Sequence, residues 1–156
     1  MVPGCIARGN DIIHAFNTTR GGNVMRKSKP ITDAKLLQLW GDRVRERADW
    51  RCEYPDCSVR TTQLHPHHFY SRRHAAIRYD VDNGICLCPV HHTLGSFSAH
   101  QDPDFKDRII GMGIRSQEWN DNLRLKRNMI VKNNQAFKDA AYKKLMGMFE
   151  FVDEML

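Results

Sequence analysis

The sequence predicts an α+β fold: a small β-hairpin with a helix after it, surrounded by several α-helices. Three observations predict it. Four of the five cysteines and six of the eight histidines crowd into residues 52–92. Within that stretch, a short run around Leu64–Phe69 and another at Ile85–Leu87, set off by Pro66 and Asn83-Gly84, read as strands. On both sides, apolar residues recur at the three- and four-residue spacing of a helix.

The elements follow in order. Residues 1–31, with four glycines and the basic run Arg26-Lys27-Ser28-Lys29, form an arm, with one short helix or strand at most around Asp11–Phe16. Thr32 can cap a helix whose first turn holds Asp33 and whose apolar stripe is Leu36, Leu37, Trp40 and Val44, ending near Asp49. A hairpin is expected from about Gln63 to Ile85, and Pro66 restricts its first strand to an edge or a bulge. The second strand, Ile85–Leu87, leads to a helix opening near Pro89. Asp102-Pro103 starts another that Gly111 and Gly113 stop. Ser116 caps a third carrying Glu118, Trp119, Leu123 and Met129. The last begins near Asn134 and repeats Phe137, Ala141, Leu145, Met148, Phe149, Val152 and Met155. The expected organisation is an arm over 1–31, a central unit over 32–120 and C-terminal helices over 121–156 packing on it.

With 24 Lys and Arg against 18 Asp and Glu, the net charge of +6 favours a polyanionic partner such as nucleic acid. No apolar run reaches the roughly 18 residues of a membrane helix, and the first residues lack the apolar stretch of a signal peptide. Cysteine spacing resembles a metal site more than a disulfide framework, so an intracellular, reducing, cytoplasmic setting is expected.

Thiolates and imidazoles at these spacings point to zinc chemistry. Cys52 and Cys57 flank a tight turn, and Cys88 and His91 supply a second half-site, together a four-ligand structural zinc site. Cys86 is an alternative to His91, because i and i+2 share one face of a strand. His67, His68, Asn83 and His92 form a second set. His65 shares a strand face with His67 and competes with it as a ligand.

The order His67-His68, Asn83, His92 threaded through this frame resembles the HNH endonuclease family, with its ββα-metal core and zinc knuckle. Here His91 stands where the family usually has a second cysteine. The resemblance implies His68 as general base, Asn83 as the residue tying the base-bearing loop to the motif, and His67 and His92 as ligands of a catalytic Mg²⁺, Mn²⁺ or other divalent ion. The run from His68 to Asn83, with Ser71-Arg72-Arg73 and Arg78-Tyr79 inside it, is similar to phage NinG/Rap recombination endonucleases. The chain departs from that subgroup at His67, a glycine there, and at His92, an asparagine there. The subgroup implies branched or recombination DNA as substrate.

Arg72, Arg73, His74 and Arg78 follow the His pair and are candidates for phosphate contacts. The competing reading is a zinc-stabilised DNA-binding module without cleavage. A nucleobase deaminase needs His-x-Glu, absent here, and zinc peptidases need His-Glu-x2-His, also absent. The last helix leaves a homodimer open.

Overall fold

Thr32 opens the first helix as its cap: the side-chain oxygen accepts from the Lys35 N–H at 3.2 Å. The computed structural model describes residues 29–59 and 61–147. The arm expected over 1–31 therefore lies outside the described residues up to Ser28, as does the last helix from Met148 onward. α1 runs Asp33–Arg47 and buries Leu36, Trp40, Gly41 and Val44. It ends where Asp49 (φ 50°) and Trp50 (φ 52°) enter the left-handed region, and Trp50 N–H bonds back to the Arg45 carbonyl.

β1 (His65–His68) and β2 (Gly84–Leu87) pair antiparallel, with His65 opposite Leu87, Pro66 opposite Cys86, His67 opposite Ile85 and His68 opposite Gly84. A two-stranded sheet has only edges, which is why Pro66 is accepted. Cys86, its partner, turns both its backbone groups the other way: its N–H donates to Glu53 Oε2 at 2.7 Å and its carbonyl accepts from Glu53 N–H at 2.8 Å. No ladder bond is lost to the proline.

Between the strands lie two short 3₁₀ turns, Ala75–Ile77 and Val81–Asn83. The helix expected from Pro89 is a single wide turn, Val90–Leu94, closed by Gly95 N–H on the Val90 carbonyl at 2.8 Å. That five-residue spacing is a π-type turn. Gly95 permits it, since a Cβ there would come within 3.0 Å of the Val90 oxygen.

α2 (Phe105–Gly111) begins later than Asp102-Pro103, because Asp102 makes its own turn, accepting from Asp104 N–H at 2.9 Å. α3 (Gln117–Arg127) is capped by Ser116, and Met129 lies beyond its end, exposed. α4 (Gln135–Leu145) is capped by Asn134. The class is α+β, as expected. The boundary expected at residue 120 falls inside α3, whose Leu123 packs with Ile85 and Leu87 in one core.

The sheet divides the interior. Cys86 joins Leu36, Trp40, Val44 and Leu145 on the α1–α4 side, and Ile85 and Leu87 join Phe69, Ile77, Phe105, Ile109 and Leu123 on the α2–α3 side. α1 comes close enough to the hairpin that a Cβ on Gly84 would overlap Val44 Cγ2 and sit 3.1 Å from Trp40 Cζ2. Among the described residues no helix is long and apolar enough to cross a membrane. Gly84→Ala is expected to destabilise the fold by about 1–3 kcal/mol, the usual cost of overpacking. Denaturant unfolding checks this, and an unchanged midpoint would mean that α1 is not seated on the hairpin.

Candidate metal centres

Cys52, Cys57, Cys88 and His91 converge so that their ligand atoms all lie within 4.8 Å of one another. Cys52 leaves α1, and the next residue pins the loop: Glu53 pairs with the Cys86 backbone, with Arg47 at 2.9 Å and with Arg115. Cys88 follows β2, and the wide turn brings His91 round, its ring stacked on Tyr54 at 4.0 Å. His91 Nδ1 lies 3.4 Å from both Cys52 Sγ and Cys88 Sγ, and Cys57 Sγ lies 3.9 Å from Cys88 Sγ. Zinc bond lengths in a tetrahedron give edges of about 3.6 Å for S···N and about 3.8 Å for S···S. The four residues fit zinc and can hold such an ion. Burial pushes the Cys52 thiol up to about 12, against backbone hydrogen bonds at Cys88 and Tyr54 that lower it; a bound cation reverses that preference. Cys86, the alternative ligand, is fully buried facing the α1 side and stands outside this group.

A second group forms from His67, His92 and His100, again with ligand atoms within 4.8 Å. His92 Nε2 and His100 Nε2 are 3.3 Å apart, about the N···N edge of a tetrahedron with bonds of roughly 2.0–2.1 Å. His91 and His92 are neighbours on the wide turn, yet each serves a different group. His65 stands behind His92: the two Nδ1 atoms are 2.9 Å apart. His67 is held down to about 3 by burial, then by His92 and His100, and His92 to about 4 by burial, then by His100 and His65. At neutral pH the His67 and His92 rings are therefore neutral and keep the lone pair a metal needs.

His100 was not a candidate in the sequence, because nothing in a helical or strand period links it to His92. A run of tight turns folds it back, with Ala99 N–H on the His91 carbonyl at 2.9 Å. The only sequence signal is the set of small residues Gly95, Ser96, Ser98 and Ala99 ahead of Asp102-Pro103.

His68 points to the opposite face of β1 from His67. Its ring stacks on Trp40 at 3.7 Å, and its Nε2 lies 2.9 Å from the Arg78 carbonyl oxygen. A carbonyl only accepts, so Nε2 carries the proton and Nδ1 keeps the lone pair. Burial first, then Arg72 and Arg78, lower the pKa of His68, against the Arg78 carbonyl that raises it. Asn83 is fully buried and uses its whole side chain on the loop: Oδ1 accepts from Tyr70 N–H at 2.8 Å, and Nδ2 donates to the Tyr70 and Ile77 carbonyls at 2.9 and 3.1 Å. It positions the segment whose Arg78 carbonyl holds His68.

The candidate phosphate-binding residues separate. Arg72 and Arg73 are exposed and unpaired with any carboxylate among the described residues. Arg78 is spent internally, on Asp33 at 3.2 Å and on the Arg72 carbonyl at 2.8 Å. His74 precedes the first 3₁₀ turn without a side-chain hydrogen bond. Comparison with family models, curated proteins and solved structures returns no match.

The purified chain is expected to carry about one tightly held zinc on the Cys52, Cys57, Cys88 and His91 set, and chelation or Cys57→Ser should unfold the segment around it. Elemental analysis and circular dichroism check this; folded protein that contains no zinc ends the assignment.

Proposed function

We propose that the chain is a metal-dependent endonuclease of the HNH type that hydrolyses phosphodiester bonds in DNA. The observation that carries the reading is the split of adjacent histidines across one strand. His67 turns to His92 and His100, while His68 turns away from them with its proton fixed on Nε2 and Nδ1 free to accept. Cleaving a phosphodiester asks for both functions: a base for the attacking water and a charge-neutralising centre for the leaving oxygen.

His68 Nδ1 takes the proton from water. The Arg78 carbonyl fixes its tautomer, and its lowered pKa keeps it neutral near pH 7. Asn83 acts through the loop it pins rather than on substrate. His67, His92 and His100 would hold the divalent ion, and such an ion, when bound, stabilises charge on the departing oxygen. His65 Nδ1 accepts the Nδ1 proton that His92 carries when its Nε2 is the ligand. An all-imidazole set prefers zinc, nickel or another borderline ion to magnesium, which prefers oxygen ligands. The basic balance of the chain and the exposed Arg72–Arg73 pair agree with a DNA partner. The likeness of residues 68–83 to phage recombination endonucleases points to branched intermediates as the substrate class.

One observation favours a second reading, a zinc-stabilised DNA-binding module without cleavage: the His68 ring packs flat on Trp40, as a purely structural histidine does. Supercoiled plasmid incubated with the zinc-loaded chain and added Mn²⁺, Ni²⁺ or Mg²⁺ separates the two. His68→Ala is expected to lower cleavage by roughly 10²–10⁴-fold with fold and DNA binding kept. Cutting at the wild-type rate would remove His68 from the chemistry, and no cutting by the wild type with any ion would leave the binding module.

His92→Ala and His100→Ala are expected to fail differently, by weakening the second ion, so that raising its concentration restores part of the rate. A rate that stays flat with ion concentration would mean that these rings hold no catalytic ion. Replacing Arg72 and Arg73 together should weaken DNA binding and flatten its salt dependence by about two units of slope. A slope equal to that of the wild type would place that loop away from the DNA.

A further inference from the structure

Two cations beside Tyr70, Lys106 and Arg127, have no carboxylate partner among the described residues. Lys106 on α2 lines the same 390 Å³ cleft as His67 and His100. Its ammonium lies 4.6 Å from the Tyr70 ring centroid and 5.6 Å from that of Phe69. Arg127, at the end of α3, sets its guanidinium 4.6 Å from the same Tyr70 ring. Neither makes an ion pair with any described carboxylate, although nearly every other arginine close to the core does, such as Arg47, Arg78, Arg108 and Arg115. Arg127 Nε is buried and has no hydrogen-bond acceptor. The two charges also act on each other: burial and then Arg127 lower the pKa of Lys106, against Asp107, which raises it.

Holding two like charges beside one ring, with a buried N–H left unmatched, is unfavourable unless an anion is shared between them. Tyr70 is itself fixed, by Asn83 on its backbone and by Asn120 on its hydroxyl at 2.5 Å, so the ring is a rigid support for both cations. Phe69 and Tyr70 form a bend immediately after β1, and Phe69 lines the same cleft as His67 and His100, so the two cations sit over the residues that lead on from the histidine group. We propose that Lys106 and Arg127 form a phosphate track that carries the DNA backbone out of the cleft lined by His67 and His100 and across Tyr70. The track deepens the nuclease reading and rests on it for the identity of the polyanion.

The test is binding, which does not require cleavage. A fluorescent DNA duplex is titrated with the full chain, loaded with zinc and given no second divalent ion, over a range of salt concentrations. Lys106→Gln with Arg127→Gln is expected to weaken binding and reduce the salt slope by about two units, because each lost phosphate contact removes about 0.9. Lys106→Gln alone, an exposed change that leaves the Tyr70 support intact, is expected to lose about one, and Lys106→Arg to restore it. Wild-type affinity and slope in the Lys106→Gln protein overturn the track, whatever the plasmid assay gives. The expected loss of slope in a chain that never cuts plasmid supports the track and removes the nuclease reading instead.

Discussion

The register that sets His67 opposite Ile85 and His68 opposite Gly84 is the constraint on which the rest of the molecule depends. Successive strand residues point to opposite faces, so this pairing sends His65 and His67 toward α2 and His68 toward α1. A slip of one residue would exchange them, placing His67 against Trp40 and His68 in the cleft. What prevents the slip is packing on both sides at once. Gly84 must meet Val44 and Trp40, where no Cβ fits, and Ile85 and Leu87 must enter the core with Phe105 and Ile109.

The two ligand groups differ as a closed and an open site do. Three cysteines and a histidine supply the four donors that a zinc tetrahedron needs, between the end of α1 and the end of β2. The three histidines supply one donor fewer, and two of them, His67 and His100, line a cleft. Both groups are tied through one wide turn, in which His91 and His92 are adjacent. Whatever fixes the first group therefore also fixes the direction of His92. Glu53 braces the same region: one carboxylate holds β2, Arg47 of α1 and Arg115 ahead of α3.

Charge follows a matching division. Arg78, whose carbonyl meets His68 Nε2, is neutralised by Asp33, which Lys138 of α4 also pairs at 2.6 Å. Arg72 and Arg73 on their loop, and Lys106 and Arg127 beside Tyr70, have no carboxylate partner among the described residues. A polyanion approaching this surface meets positive charge on both sides of the hairpin.

Local signals were enough for much of this. Thr32, Ser116 and Asn134 act as caps where capping chemistry predicts them, since a cap is decided by residues three apart. The four ligands of the cysteine group were legible because knuckle spacing constrains them, and the place of Cys86 was settled only by which face of β2 packs on Trp40. The three hydrogen bonds of Asn83 depend on Tyr70 and Ile77 returning to it. Tertiary structure alone decided the rest. His100 enters the histidine group through irregular turns that carry no period, the expected helix at Pro89 is one wide turn, and Lys106 and Arg127 meet on Tyr70 from two helices. The sequence determines what is set by neighbours a few residues apart; contacts between distant segments are set by packing, and the open histidine group is built from such contacts.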